Sequence, residues 1–261
     1  MKISVAGLGV KYAKGVEALR DVSFEVESGE FVAIVGPSGC GKSTALSAIA
    51  SLVGPEEAEV TGRISIDGVD IRERAAREAS LGYVFQRDTL FPWRTVRENV
   101  EAGLEIRGVP TAERRVRAQA LIDLVGLTGF EAYYPHRLSG GMRQRTALIR
   151  TLAYDPRVIL MDEPFGALDA QTRLALQAEL IRIWAQARKT ILFVTHDLTE
   201  AITLGERVIV FSKRPGTVTR VHEIPFPHPR DPFELHGSAE FADLYAGIWR
   251  TVSQEFRAGA G

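Results

Sequence analysis

Several kinds of residue and segment are scarce in this chain. Among 261 residues there is one cysteine, Cys40, which excludes a disulfide framework and fits a reducing compartment. Lysine is rare: only six of the 32 basic residues are lysine, and Lys42 is the only one between Lys14 and Lys189. No apolar run approaches the roughly 20 residues needed to span a bilayer. Residues 1–10 carry no cationic stretch followed by a long apolar core and a small-residue cleavage site. Neither a membrane span nor a signal peptide is therefore expected, and the default compartment is the cytoplasm. The formal net charge is only −1, so no global field draws the chain to nucleic acid or an anionic membrane. With 45% hydrophobic and 25% charged residues, disordered, collagenous and low-complexity classes are out. The length suffices for one large domain or two small lobes.

The hydrophobic pattern changes character along the chain. Val22, Phe24 and Val26 alternate with polar residues, and a continuous apolar run follows at 31–35. Alternation at 63–67 and an apolar run at 81–85 predict further strands, while 95–153 reads as helical. Within that block Val116, Ala120, Leu121, Leu124 and Val125 recur at helical spacing, with Arg114, Arg115 and Arg117 outside the stripe. Strands are predicted again at 158–161, 190–195 and 207–211, and helices at 42–52, 171–188 and 241–256. Strands alternating with helices imply an α/β core with a largely parallel sheet, interrupted by an inserted helical subdomain. The Pro-rich stretch 225–232 reads as an extended connection.

The run Gly36-Pro37-Ser38-Gly39-Cys40-Gly41-Lys42-Ser43-Thr44 has a strand before it and a helix after it, the context of a phosphate-binding loop. Glycines let successive backbone N–H groups converge on phosphate oxygens, and the helix N-terminus adds partial positive charge. Lys42 supplies a cation for the β- and γ-phosphates, and Ser43 a hydroxyl for Mg²⁺. A plain glycine-rich turn is the structural alternative, but it gives no reason for the lysine-hydroxyl pair. Cys40 reads as a small side chain tolerated in a tight loop rather than as a reactive thiol. The apolar run 158–161 ends in Asp162-Glu163, which puts one carboxylate where a metal ion would sit beside the loop and another where it could polarise water. Alone this pair is weak, since apolar strands ending in an acid are common.

The separation of 126 positions from Gly36 to Asp162 far exceeds the roughly 30 residues of a simple βαβ unit. The interval contains Gln86 after a strand, and Leu138-Ser139-Gly140-Gly141-Met142-Arg143-Gln144, a hydroxyl and paired glycines opening a helix. A serine-capped helix start would explain that segment in isolation. In this conjunction the sequence resembles the ABC-type ATPases over residues 3–211. Segment 138–144 looks like the family's signature motif, with Met142 where glutamine often stands. The resemblance implies that Gln86 senses Mg²⁺ and faces a membrane subunit, that Ala167-Leu168-Asp169 communicates across a dimer, and that His196 contacts the γ-phosphate. It matches Tyr12 to the aromatic that stacks on adenine. It implies catalytic roles for Glu163, His196, Lys42 and Gln86, nucleotide contacts from 36–44, and Mg²⁺ held through Ser43, Gln86 and Asp162. Two copies would pair head to tail, so that Ser139, Gly140 and Gly141 serve the partner's ATP.

The expected fold is therefore α/β: a P-loop ATPase core with a mostly parallel sheet, an N-terminal antiparallel β subdomain and an inserted α-helical subdomain at about 87–155. The ATPase domain is expected at 1–230 and a C-terminal extension with a short helix at 231–261. Phe91-Pro92-Trp93, the segment 161–169 and Arg214-Pro215-Gly216 together look like the ATP-binding subunits of bacterial importers for nitrate, sulfonates, taurine and related solutes. That resemblance implies permease subunits as partners, a second copy of the chain, a solute-binding protein acting indirectly, no nucleic acid, and a peripheral place on the cytoplasmic face of the inner membrane. Phe91 and Trp93 are candidates for a socket taking a permease helix; packing inside the helical block is the alternative. The Arg-rich segments 72–77 and 114–117 read as solvated faces, and the spacing of His222, His228 and His236 fits no compact metal site. Two rival classes share part of the pattern. A soluble ABC ATPase acting on DNA or the ribosome would call for long coiled-coil insertions, paired cassettes or a basic stripe. A P-loop kinase would leave 138–144 unexplained.

Overall fold

The computed structural model describes residues 1–73, 81–166 and 168–257. Most of the Arg-rich segment at 72–77, and Ala167, lie outside the described residues.

Two sheets form the frame. The first is antiparallel, in the order β2-β1-β4-β5, from β1 (Ile3–Tyr12), β2 (Glu17–Val26), β4 (Ala58–Ile66) and β5 (Val69–Asp70). The second has the order β10-β9-β3-β8-β7-β6. Its members are β3 (Phe31–Val35), β6 (Leu81–Val84), β7 (Val158–Asp162), β8 (Thr190–Val194), β9 (Arg207–Phe211) and β10 (Val218–Glu223). Every pairing in it is parallel except that of the edge strand β10 with β9. Both faces of β3, β7 and β8 are covered, which is why those strands are unbroken apolar runs rather than alternating ones.

The period of two along each strand splits the interior into two cores. Val32, Ile34, Val158, Leu160, Leu192 and Val194 face α1 (Lys42–Ile49) and the antiparallel sheet. Their neighbours Phe31, Ala33, Ile159, Met161, Ile191 and Phe193 face the helices on the other side, around the fully buried Trp184.

Between β6 and β7 lie α2 (Val96–Ile106), α3 (Thr111–Leu124), a 3₁₀ turn at Pro135–Arg137 and α4 (Gly140–Ala153). Thr95 and Glu98 form a reciprocal cap on α2, and Ser139 caps α4 by accepting from the Met142 N–H. After β7 come α5 (Ala170–Ala187), capped by Asp169, and, after β8, α6 (Leu198–Leu204), capped by Asp197. The short α7 (Pro232–Leu235) leads to α8 (Ala239–Arg257), whose Phe241, Ile248 and Val252 are buried in the helix-side core.

The helical stripe expected in α3 holds at its C-terminal end, where Val125 is buried and Leu121 packs against the helix-side core, but not nearer its start. Val116 is 72% exposed and Ala120 is exposed, while Ala118 and Ile122 are buried. The helix is largely polar, so contact with α2 and α4, not its own periodicity, selects the face. Arg114 is correspondingly not a solvated residue; its guanidinium tucks 3.7 Å from the buried Glu101.

Candidate functional site

Four loops meet at the carboxyl ends of the parallel strands, where α/β sheets bind ligands. Residues 36–41 leave β3, His196 follows β8, Glu163 follows β7 and Gln86 follows β6. Because β3, β8, β7 and β6 are consecutive neighbours in the sheet, these loops lie side by side. They open a cleft of about 490 Å³ lined by Tyr12, Lys42, Ser43, Gln86, Glu163 and His196, with further walls from the 38–44 loop.

The loop itself is shaped by close approaches. Gly41, at φ 107°, would put a Cβ 2.8 Å from the Ala18 carbonyl oxygen, so only glycine can turn the chain into α1 there. Lys42 is 6% exposed and folds back over the loop, donating from Nζ to the carbonyls of Gly36 at 2.9 Å and Pro37 at 3.1 Å. Ser43 Oγ donates to Asp162 Oδ1 at 2.9 Å, which joins the start of α1 to the end of β7 across 119 residues of sequence. Burial pushes the Asp162 carboxyl up, and the Glu163 charge adds to this, against the Ser43 hydrogen bond and the Lys42 cation. Cys40 is 1% exposed, and burial pushes its thiol up as well.

Glu163 has a positive φ of 45°, a strained conformation for a side chain with a Cβ. The turn aims its carboxylate into the cleft, where Oε2 lies 3.1 Å from Gln86 Nε2 and 3.1 Å from His196 Nδ1. Two residues from two other loops thus converge on one Glu163 oxygen. Tyr12, at the end of β1, brings its hydroxyl 3.3 Å from Thr44 Oγ1.

The structure brings Tyr12, Ser38, Gly39, Gly41, Lys42, Ser43, Thr44, Gln86, Glu163 and His196 to the cleft wall. Gly36, Pro37 and Cys40 sit behind it, and Asp162 reaches it through Ser43. Ser139, Gly140, Gly141 and Asp169 do not line it. They cluster instead at the N-terminal ends of α4 and α5, with Gly141 against Leu168.

Sequence reasoning missed Val16, Ala18 and Arg214 as walls of the cleft. The turn carrying Arg214 docks on the phosphate loop: Gly216 exchanges hydrogen bonds with Ala18 and Arg20, and a Cβ on it would stand 2.2 Å from the Cys40 carbonyl oxygen. The Arg-Pro-Gly sequence was the one available signal.

Outside the cleft, Trp93 is 70% exposed, while Phe91 is half-buried with Arg94 and Arg150 over its ring. The three tail histidines have separate surroundings. His222 Nε2 lies 3.3 Å from Thr251 Oγ1, His236 Nε2 lies 2.8 Å from Thr203 Oγ1, and His228 packs edge-on against Trp184. Among the described residues no helix is long and apolar enough to cross a membrane.

A glycine-rich loop joining a buried parallel strand to a helix, with a carboxylate on a neighbouring strand end, makes this chain an ATPase of the P-loop class. The chain belongs to the ABC transporter family, whose sequence profile matches residues 19–166. It is 50% identical over 240 residues to an uncharacterized ABC transporter ATP-binding protein of Methanocaldococcus jannaschii, covering 92% of this chain and 86% of that one. It is 40% identical over 262 residues to the aliphatic sulfonates import ATP-binding protein SsuB of Bacillus cereus, covering 99% and 97%. With the taurine import ATP-binding protein TauB of Yersinia pestis it shares 45% identity over 216 residues, covering 83% and 82%. Among solved structures it resembles a dimeric ATP-binding cassette in a post-hydrolysis state bound to ADP and phosphate, with a TM-score of 0.76 and 33% identity over 86% of this chain and 100% of that chain.

Proposed function

We propose that this chain powers import of a small solute of the nitrate, sulfonate or taurine class through separate membrane permease subunits, as a head-to-tail homodimer on the cytoplasmic face of the inner membrane. The observation that carries the reading is the convergence of Gln86 and His196 on Glu163 beside the Ser43–Asp162 pair. The sulfonate and taurine import names of the relatives support the cargo class, and a solute-binding protein would act on the chain only through the permease. Residues 1–230 would form the ATPase domain, with 87–155 as its helical subdomain and 231–261 as an extension.

The residue roles follow from the chemistry. The 36–44 loop cradles the phosphates with its N–H groups, and Lys42 exchanges its loop carbonyls for the β- and γ-phosphate oxygens. Tyr12 would flank the adenine. A hydroxyl and a buried carboxylate 2.9 Å apart fit Mg²⁺, which takes a few protein oxygens and fills its other positions with water and substrate phosphate. Ser43 and Asp162 would hold it with Gln86 nearby, and when bound it neutralises charge developing on the phosphates. Glu163 takes a proton from the attacking water as that oxygen bonds to the γ-phosphorus and the bond to the β–γ bridging oxygen breaks. Gln86 and His196 orient its carboxylate, and His196 Nε2 remains for the γ-phosphate. Ser139, Gly140, Gly141 and Asp169, standing outside the cleft, would meet the nucleotide and loops of the partner copy. The exposed Trp93 would meet a permease helix.

Phosphate release and size-exclusion chromatography test this reading together. Glu163→Gln should lower turnover at least about 1000-fold, still bind ATP, and elute as a dimer with MgATP. Wild-type turnover, or a monomer that retains ATP without pairing, would refute it.

A further inference from the structure

Arg173, in the first turn of α5, crosses from the loop behind Glu163 to the loop carrying His196. Its Nη2 donates to the Leu168 carbonyl at 3.1 Å and its Nη1 to Asp197 Oδ2 at 3.4 Å. Its Nε is buried without a hydrogen bond, 3.7 Å from Glu200 Oε1. Both carboxylates are tied to the backbone around His196. Thr195 Oγ1 donates to Glu200 Oε2 at 2.7 Å and accepts from the Asp197 N–H at 3.0 Å. Asp197 Oδ1 accepts from the Thr199 and Glu200 N–H groups at the start of α6. One planar guanidinium thus faces the Leu168 carbonyl, the Asp197 carboxylate and, from the first turn of α6, the Glu200 carboxylate, a geometry that a lysine ammonium cannot reproduce.

His196 lacks such anchoring of its own. Its side chain is 61% exposed, and among the described residues its one polar partner is Glu163 Oε2. The placement of its ring therefore depends on the backbone of residues 195–197, and that backbone is fixed by the groups Arg173 holds.

We propose that Arg173 is a positioning residue for ATP hydrolysis: by tying Leu168 to residues 195–200 it holds His196 against the Glu163 carboxylate. The proposal rests on the roles given above to Glu163 and His196. Loss of the tie lets the two loops shift separately, and a displacement of about 1 Å at a reacting group costs up to about 100-fold in rate. ATP affinity should change little, because the 36–44 loop, Lys42 and Tyr12 are untouched.

Steady-state ATP hydrolysis and fluorescent-ATP titration are measured for Arg173→Gln, Arg173→Lys, His196→Ala and the double variants. Arg173→Gln should lower kcat about 10- to 100-fold with nucleotide affinity within about threefold. Arg173→Lys, which keeps the charge and so protects the fold, should lose a smaller part of kcat. In the His196→Ala background both substitutions should change the residual rate less than about twofold, because the group they act through is gone. An impaired His196→Ala protein with equal fold-losses in both backgrounds overturns this proposal alone. Wild-type kcat in His196→Ala overturns the role of His196 and the proposal with it, and wild-type kcat in both Arg173 variants also overturns the proposal.

Discussion

Glu200 should make the fold lose stability as pH rises from 4.5 to about 7. Its side chain is 6% exposed, and burial raises its carboxyl from an ordinary 4.5 to about 7, against the Thr195 hydrogen bond and helped by the Asp197 charge. The Arg173 cation pulls in the opposite direction without cancelling it. Between those two pH values the folded chain keeps a proton that the unfolded chain has released, so stability falls through the window and levels off above it. The difference corresponds to about 3 kcal/mol, or roughly 6–12 °C in Tm for a chain of this size. Glu200→Gln keeps a carbonyl oxygen for the Thr195 hydroxyl but cannot ionise. Thermal denaturation at pH 5 and pH 8 should therefore show a smaller decline in the variant than in the wild type, with the gap between the two declines near that value. Equal declines in the two proteins would refute the assignment, because the titrating group would then lie elsewhere.

Two further measurements address the cleft and the outer surface. Cys40 is buried with its thiol pushed up, and the thiolate is the nucleophile, so native protein should react with iodoacetamide more than about 10-fold slower than denatured protein. Comparable rates would show that the loop opens far more often than its packing implies. Trp93→Ala should leave ATP hydrolysis by the isolated protein unchanged but weaken co-purification with the permease by about 2 kcal/mol or more. Undiminished complex recovery would remove Trp93 from the docking surface.

The phosphate loop was legible because its chemistry is local: nine adjacent residues, a strand before and a helix after. The strands β3, β7 and β8 were legible for a related reason, since burial on both faces leaves an unbroken apolar run. β1 was not read as a strand, because register shifts after Val5 and Leu8 break its alternation. β10 was missed because the edge strand Val218–Glu223 is mostly polar and exposed. In α3 a correct helix was given a buried face that holds only at Leu121 and Val125 and fails at Val116 and Ala120, since neighbours rather than periodicity choose it.

The candidate site divides along the same line. Lys42 and Ser43 announced themselves by residue type and spacing, Asp162 and Glu163 gave a signal that is weak alone, and Gln86 and His196 became meaningful only through resemblance to a family. Arg214 reaches the cleft because Gly216 docks a distant turn on the Cys40 carbonyl. Arg173 and Glu200 look in sequence like ordinary helix charges. The sequence by itself determined the phosphate-binding chemistry, because that depends on residues adjacent in the chain. Only the tertiary structure decided which carboxylate is desolvated, which cation ties which loops, and which groups reach Glu163, because these depend on distances between residues far apart in sequence and on the water that packing removes.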